Sequence, residues 1–244
     1  MKYTVIYLFL VFTLKCISQS GTATYKIQIA FDEEAMAVDK KYGLLQNAVE
    51  ASEEMEYVLT FKNKESNFYL ADDDGLDKVA VNTVSALVGV RNMTYHNLET
   101  KEMLHKVNAD GLIIKKNEFV IKEVNNLKWK ITSETKLIDT YLCYKALTSK
   151  TIIKNDKEFQ ETVTAWFCPK LPYAFGPAKY SGLPGLILEI QEKNIIFMIK
   201  NISFDPEENI IITIPEAKKI ISQQEYYTIT NERFETLKSM SEKN

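Results

Sequence analysis

Two histidines, His96 and His105, and three cysteines are the scarce reactive side chains of this 244-residue chain. A zinc-peptidase helix needs histidines at i and i+4 with a glutamate beside the first, so that both imidazoles share one helical face, and that pattern is absent. The two histidines read as ordinary surface residues near strand ends. Ser181 precedes Gly182 without the G-x-S-x-G frame of a nucleophile elbow, and no G-x-x-x-x-G-K-[ST] phosphate loop occurs. Asp72, Asp73 and Asp74 before Gly75 offer the hard oxygens that calcium prefers, but the alternating loop and its closing glutamate are missing. That run is expected to be a solvated turn that caps a helix over 75–89. Any two of the 33 acids could pair in space, so spacing selects no carboxylate pair. No catalytic residue, cofactor site or metal site is expected.

The start of the chain sets the compartment. Lys2 is followed by an apolar stretch over 3–14 and then by small residues at Cys16, Ser18 and Ser20, the layout of a secretory signal peptide over 1–18 with cleavage after Ser18 or Ser20. A dozen apolar residues are too few to span a bilayer, which takes about 20, and no later segment is longer without charge. Lys15 directly before Cys16 is unsuited to lipid attachment. The remainder, 19–244, has no Pro/Ser/Gly-rich linker and no repeat, and is expected to be a single β-rich domain without a transmembrane segment. Removing the leader leaves 28 positive against 33 negative groups. With no basic stripe, nucleic-acid binding is excluded.

Cys143 and Cys168 then remain in an oxidising compartment, where paired thiols are normally joined. Residues 141–153 and 158–168 are both β-prone, and Lys154, Asn155, Asp156 and Lys157 between them read as a tight hairpin. Facing positions in such a hairpin keep a constant index total, 311 for Lys154 and Lys157, and Cys143 with Cys168 gives the same total. A cross-strand disulfide is expected.

The elements that position these groups are mostly strands: 22–31, with Tyr25, Ile27 and Ile29 on one face, 57–61, 67–71, 94–99, 102–107, 111–115, 119–124 and 128–133. Such short intervals point to a mainly β fold, a curved antiparallel meander or half-barrel with two or three covering helices. Val38, Tyr42, Leu45 and Val49 fall at helical spacing, weakened by Gly43, as do Leu76 to Leu87, and 230–240 is a short helix docked by Phe234 and Leu237. Leu183, Pro184, Gly185 and Leu186 fit a type II turn that launches a buried strand over 186–190.

Tyr141-Leu-Cys143-Tyr-Lys145-Ala146, Ala165-Trp166-Phe167-Cys168, Gly176-Pro177 and Gly182-Leu183-Pro184-Gly185-Leu186-Ile187 follow one another in the order seen in the GLPGLI family, which this chain resembles over 141–190. The resemblance implies a secreted or periplasmic protein of Bacteroidota with no established activity and no catalytic residues to transfer. Members are often encoded beside outer-membrane TonB-dependent receptors. The reading is therefore a non-enzymatic binding or interaction protein of the periplasm or cell envelope, with an outer-membrane receptor or another envelope protein as partner. Tyr173, Phe175 and Tyr180 are its candidate contact residues. The alternative is a LolA-like carrier enclosing an apolar ligand, an analogy of fold. An enzyme would need a cleft of strongly shifted acids or bases. No motif sets the ligand or the oligomeric state.

Overall fold

A computed structural model describes residues 20–31, 43–71, 74–90, 93–107, 111–154, 157–204 and 210–241. Its strands are β1 (Ser20–Ile29), β2 (Glu56–Lys62), β3 (Glu65–Leu70), β4 (Met93–Asn97), β5 (Glu102–Lys106), β6 (Phe119–Val124), β7 (Lys130–Ile138), β8 (Tyr141–Lys154), β9 (Lys157–Cys168), β10 (Leu186–Glu192), β11 (Ile195–Ser203) and β12 (Lys219–Ser222). The helices are α1 (Leu44–Glu54), α2 (Lys78–Val88) and α3 (Gln223–Ser241). The strands form one open sheet in the order β12-β6-β5-β4-β3-β2-β1-β11-β10-β9-β8-β7. Every pairing is antiparallel except β12 with β6.

Chain connectivity makes this sheet curl. β6 and β7 are consecutive in sequence yet lie ten strand positions apart, which in a flat sheet is about 48 Å. Residues 125–129 must bridge them, and that length of chain reaches about 21 Å at most. The far limb of the sheet therefore folds back toward the near one, as the expected half-barrel requires.

Alternation decides what fills the inner face. Ala23, Leu59, Phe68, Thr94, His105 and Ile121 are successive cross-strand partners from β1 to β6 and so share that face. The neighbouring aromatic rings interlock: Tyr57 stacks on Phe68 at 5.5 Å, and Phe197 meets both edge-on. Tyr25, Tyr57, Phe61 and Phe68 are essentially without solvent contact. α1 and α2 pack against each other, and α1 also packs against β1.

Several expectations change at the element ends. Gly43 is the residue before α1, at φ 63, and does not lie inside the helix; Val38 and Tyr42 lie outside the described residues. Asp77, whose side chain accepts from the Ala80 N–H at 2.8 Å, caps α2 in place of the aspartate run, of which Asp72 and Asp73 lie outside the described residues, as do the expected leader over 1–18 and the expected hairpin tip at Asn155 and Asp156. Residues 111–115 form bends instead of a strand, because the free edge of β6 is taken by β12. The terminal helix is longer than expected. It starts at a capping box in which the Ser222 N–H donates to Glu225 at 2.7 Å and Ser222 Oγ accepts from the Glu225 N–H. Tyr226 docks it, Arg233 holds Glu118 at 2.7 and 3.0 Å, and Phe234 faces solvent.

Candidate functional site

The β8–β9 ladder runs in unbroken register from Lys154 opposite Lys157 to Tyr144 opposite Phe167. Cys143 and Cys168 lie just beyond this end of the ladder, both fully buried, and both are free thiols in this structure in place of the expected disulfide. Burial first, and then the neighbouring Cys168, push the Cys143 thiol up to about 12.

Beyond Cys168 the chain loops over the core and returns through the Pro-Gly motif. The turn there is tighter than type II: the Gly185 N–H donates to Leu183 O at 2.8 Å, while the Leu186 N–H is taken by Leu171 O at 2.8 Å. Gly185 is required by close approach, since a Cβ there would lie 2.2 Å from the Cys168 carbonyl oxygen. At Gly176 a Cβ would meet Ile187 at 2.7 Å. Pro177 is buried, as are Leu183, Leu186 and Ile187, while Gly182 and Pro184 face solvent. The aromatic residues expected to meet a partner cover the protein's own core. Phe175 and Tyr180 are buried, and Tyr173 stacks between Phe61 and Phe204 at 4.7 and 5.1 Å. Their rings are drawn inward because the loop closes the inner face, to which Ile187 is already hydrogen-bonded.

A family described as a protein of unknown function (Porph_ging) matches residues 153–189, the stretch from the tip of the hairpin through the motif into β10. Over this stretch the chain is similar to that family, in keeping with the GLPGLI resemblance. No curated protein matches its sequence. Among solved structures, this chain is similar to PNGF-II in a P21 crystal form, with 13% identity, a TM-score of 0.47, and coverage of 88% of this chain and 34% of that one. A C2 form of PNGF-II gives 13% identity, a TM-score of 0.46, and coverage of 88% and 33%. The chain thus spans about a third of the length of those structures.

The GLPGLI segment also builds a polar crevice. Its residues Ala178–Lys179–Tyr180–Ser181 cross the mouth of the curled sheet, between the inner face of β4–β6 and that of β8–β10. From the first limb come Thr94, whose Oγ1 lies 3.1 Å from His105 Nδ1, and Glu123, whose Oε2 lies 3.3 Å from His105 Nε2. From the second come Glu192, which accepts from both Lys150 and the Tyr180 hydroxyl, and Glu161, flanked by Lys150 at 3.4 Å and Lys193 at 3.3 Å. A cavity of about 210 Å³ lies between the limbs, lined by Thr94, His105, Lys179, Glu192, Ile190 and Phe197 among others.

The electrostatics follow from these contacts. Burial would raise the Glu192 carboxyl, but hydrogen bonds from Lys150 and Tyr180 outweigh it and hold it below the usual carboxylate range. The His105 hydrogen bond outweighs burial at Glu123, which is likewise lowered. Burial, followed by the charge and hydrogen bond of Glu192, pushes the Tyr180 phenol up. Among the described residues no cluster of three or more metal-ligating side chains forms.

The histidines are not the surface residues expected. His96 is buried in β4 with Nε2 3.5 Å from Ser181 Oγ, and His105 is half-buried. Both occupy inner-face positions, and the alternation of β4 and β5 carried that signal in the sequence. Lys150, Lys179 and Glu192 were not singled out, because nothing local tells that their limb faces Thr94 and His105.

Proposed function

We propose that this chain is a ligand-binding protein of the periplasm or cell envelope and that the crevice at the sheet mouth holds a small polar or amphipathic molecule. The observation that carries the reading is convergence: residues from β4, β5, β8, β10 and the Ala178–Tyr180 segment line one cavity of about 210 Å³. Such a volume corresponds to about seven waters and suits a metabolite better than a lipid chain. The inner face that a LolA-like carrier would leave open is occupied here by Tyr25, Tyr57, Phe61 and Phe68. Binding without turnover agrees with carboxylates already engaged by Lys150, Tyr180 and His105. The envelope location rests on the leader and the family resemblance, and an outer-membrane receptor is the partner this location favours. Among the described residues no helix is long and apolar enough to cross a membrane.

The test is native mass spectrometry of the mature protein purified from its own envelope fraction, with denaturation to release bound small molecules. A stoichiometric species below about 200 Da is expected. Protein with no adduct, and no thermal shift from a small-molecule envelope extract, would remove this reading.

A further inference from the structure

A relay of three side chains fixes where one hydroxyl sends its proton. Thr94, His105 and Ile121 are successive cross-strand partners on β4, β5 and β6, and Glu123 stands two residues further along β6. Alternation therefore puts all of them on the inner face. Thr94 Oγ1 lies 3.1 Å from His105 Nδ1, and His105 Nε2 lies 3.3 Å from Glu123 Oε2. The Glu123 carboxyl is held below the usual carboxylate range, chiefly by this histidine, so it is ionised and can only accept. A neutral imidazole carries one N–H. Glu123 takes it at Nε2, which leaves a lone pair at Nδ1, and that lone pair takes the Thr94 proton. Thr94 Oγ1 is left with lone pairs alone for the cavity of about 210 Å³ that it lines.

The rest of the lining asks for the same kind of partner. Leu87, Val88 and Gly89 contribute the C-terminal end of α2, where a helix leaves its last carbonyls without intrahelical donors and carries the negative end of its dipole. Lys150 and Lys179, the cationic donors of the lining, already serve carboxylates. Lys150 pairs with Glu192 and Glu161, and Lys193 pairs with Glu161. The Lys179 charge adds to the His105 hydrogen bond at Glu123; at Glu192, where burial acts upward, it joins Lys150 and Tyr180 in lowering the carboxyl. Three ammonium groups thus stand against three carboxylates, and an ion of either sign would leave a charge uncompensated.

The remaining wall is apolar, from Leu87, Ile190, Ile195 and Phe197. A ligand carbonyl would be an acceptor set among acceptors, whereas a hydroxyl brings the proton that Thr94 lacks. We propose that the cavity binds a small neutral alcohol, its hydroxyl donating to Thr94 Oγ1 and its apolar body lying against Ile190, Ile195 and Phe197, with His105 as the positioning residue that makes Thr94 an acceptor. This inference rests on the ligand-binding reading above and names the class of ligand for the same crevice. The cavity admits a molecule of about seven to ten non-hydrogen atoms.

Calorimetric titration of the mature chain with 1-phenylethanol, acetophenone, 1-phenylethylammonium and benzoate tests the assignment, with Thr94→Val and His105→Phe alongside. Acetophenone has the skeleton of the alcohol and no proton to donate. The alcohol is expected to bind at least about tenfold more tightly than the ketone and than either ion. Thr94→Val should abolish the preference for alcohol over ketone. His105→Phe frees the Thr94 proton for the ligand, so ketone binding should tighten and the preference fall; a purely structural role for His105 would weaken all four probes alike. The comparison of probes on the unaltered chain stands if either variant does not fold. A ketone or an ion bound as tightly as the alcohol, or a preference unchanged in either variant, overturns the proposal. So does failure of the alcohol to bind. The adduct measured in the envelope-purified protein decides the broader reading separately, since a stoichiometric adduct there without an alcohol preference here keeps the ligand site and removes only its assignment to alcohols.

Discussion

The hydroxyl of Tyr25 donates a 2.7 Å hydrogen bond to the carbonyl of Ile187, 162 residues further along the chain. Ile187 stays paired with Phe167 of β9, whereas the pairing of β10 with β11 begins only at Glu189, so its carbonyl has no β11 partner. Its N–H is held by Phe175 O at 3.0 Å. The last residue of the motif is thereby locked to the first strand on one side and to the aromatic loop on the other. Tyr25→Phe keeps the ring packing and leaves a buried carbonyl unsatisfied, so it is expected to cost about 1–3 kcal/mol. Denaturant unfolding of the variant measures it, and an unchanged midpoint would show that the bond contributes nothing.

The motif glycines are needed for different reasons and should respond differently to alanine. At Gly185 the added Cβ meets backbone at 2.2 Å, where nothing flexible can yield; Gly185→Ala is expected to prevent recovery of folded protein. At Gly182 the space is open and only φ 88 is unfavourable, so Gly182→Ala should cost about 1 kcal/mol. Thermal unfolding of the two variants checks the order, and a Gly185→Ala protein as stable as Gly182→Ala would contradict the close approach.

Cys143 and Cys168 directly follow the last pair of the β8–β9 ladder, Tyr144 opposite Phe167, and protein exported to an oxidising compartment is expected to carry them as a disulfide. Closure of a loop of this size contributes about 3 kcal/mol in the chain-entropy model. Once reduced and folded, Cys143 should resist alkylation near pH 8, since burial and Cys168 push its thiol up to about 12. Mass spectrometry after alkylation under denaturing, non-reducing conditions decides: two modified thiols would dismiss the bond.

Acid should weaken the protein through His96. Burial first, and the His105 charge second, push its imidazole down from 6.5 to about 4. The unfolded chain takes up this proton near its ordinary value while the folded chain does not. Stability from this group is therefore present above about pH 6.5, declines as pH falls to about 4, and is lost below that, with a total on the order of 2–3 kcal/mol. His96→Gln should flatten the fall in melting temperature across that window, and an unchanged slope would assign the acid sensitivity elsewhere.

Local alternation and hairpin arithmetic were enough to determine from the sequence the β-rich class, the inward faces of β1 and β2 and the β8–β9 register, because each depends on residues close along the chain. Even the capping box at Ser222 and Glu225 was written there, although the terminal helix was read too short. The motif turn was legible as a reversal. Its form was not, because the Leu186 N–H is captured by Leu171, a partner that local turn geometry cannot know. The parallel addition of β12 and the inward burial of Phe175 and Tyr180 likewise depend on what else competes for an edge or a face. The crevice is the extreme case. Thr94 and His105 meet Lys179, Lys150 and Glu192 because a five-residue link between β6 and β7 makes a twelve-stranded sheet fold back on itself. That closeness follows from the summed path of all the strands and is carried by no single stretch of sequence.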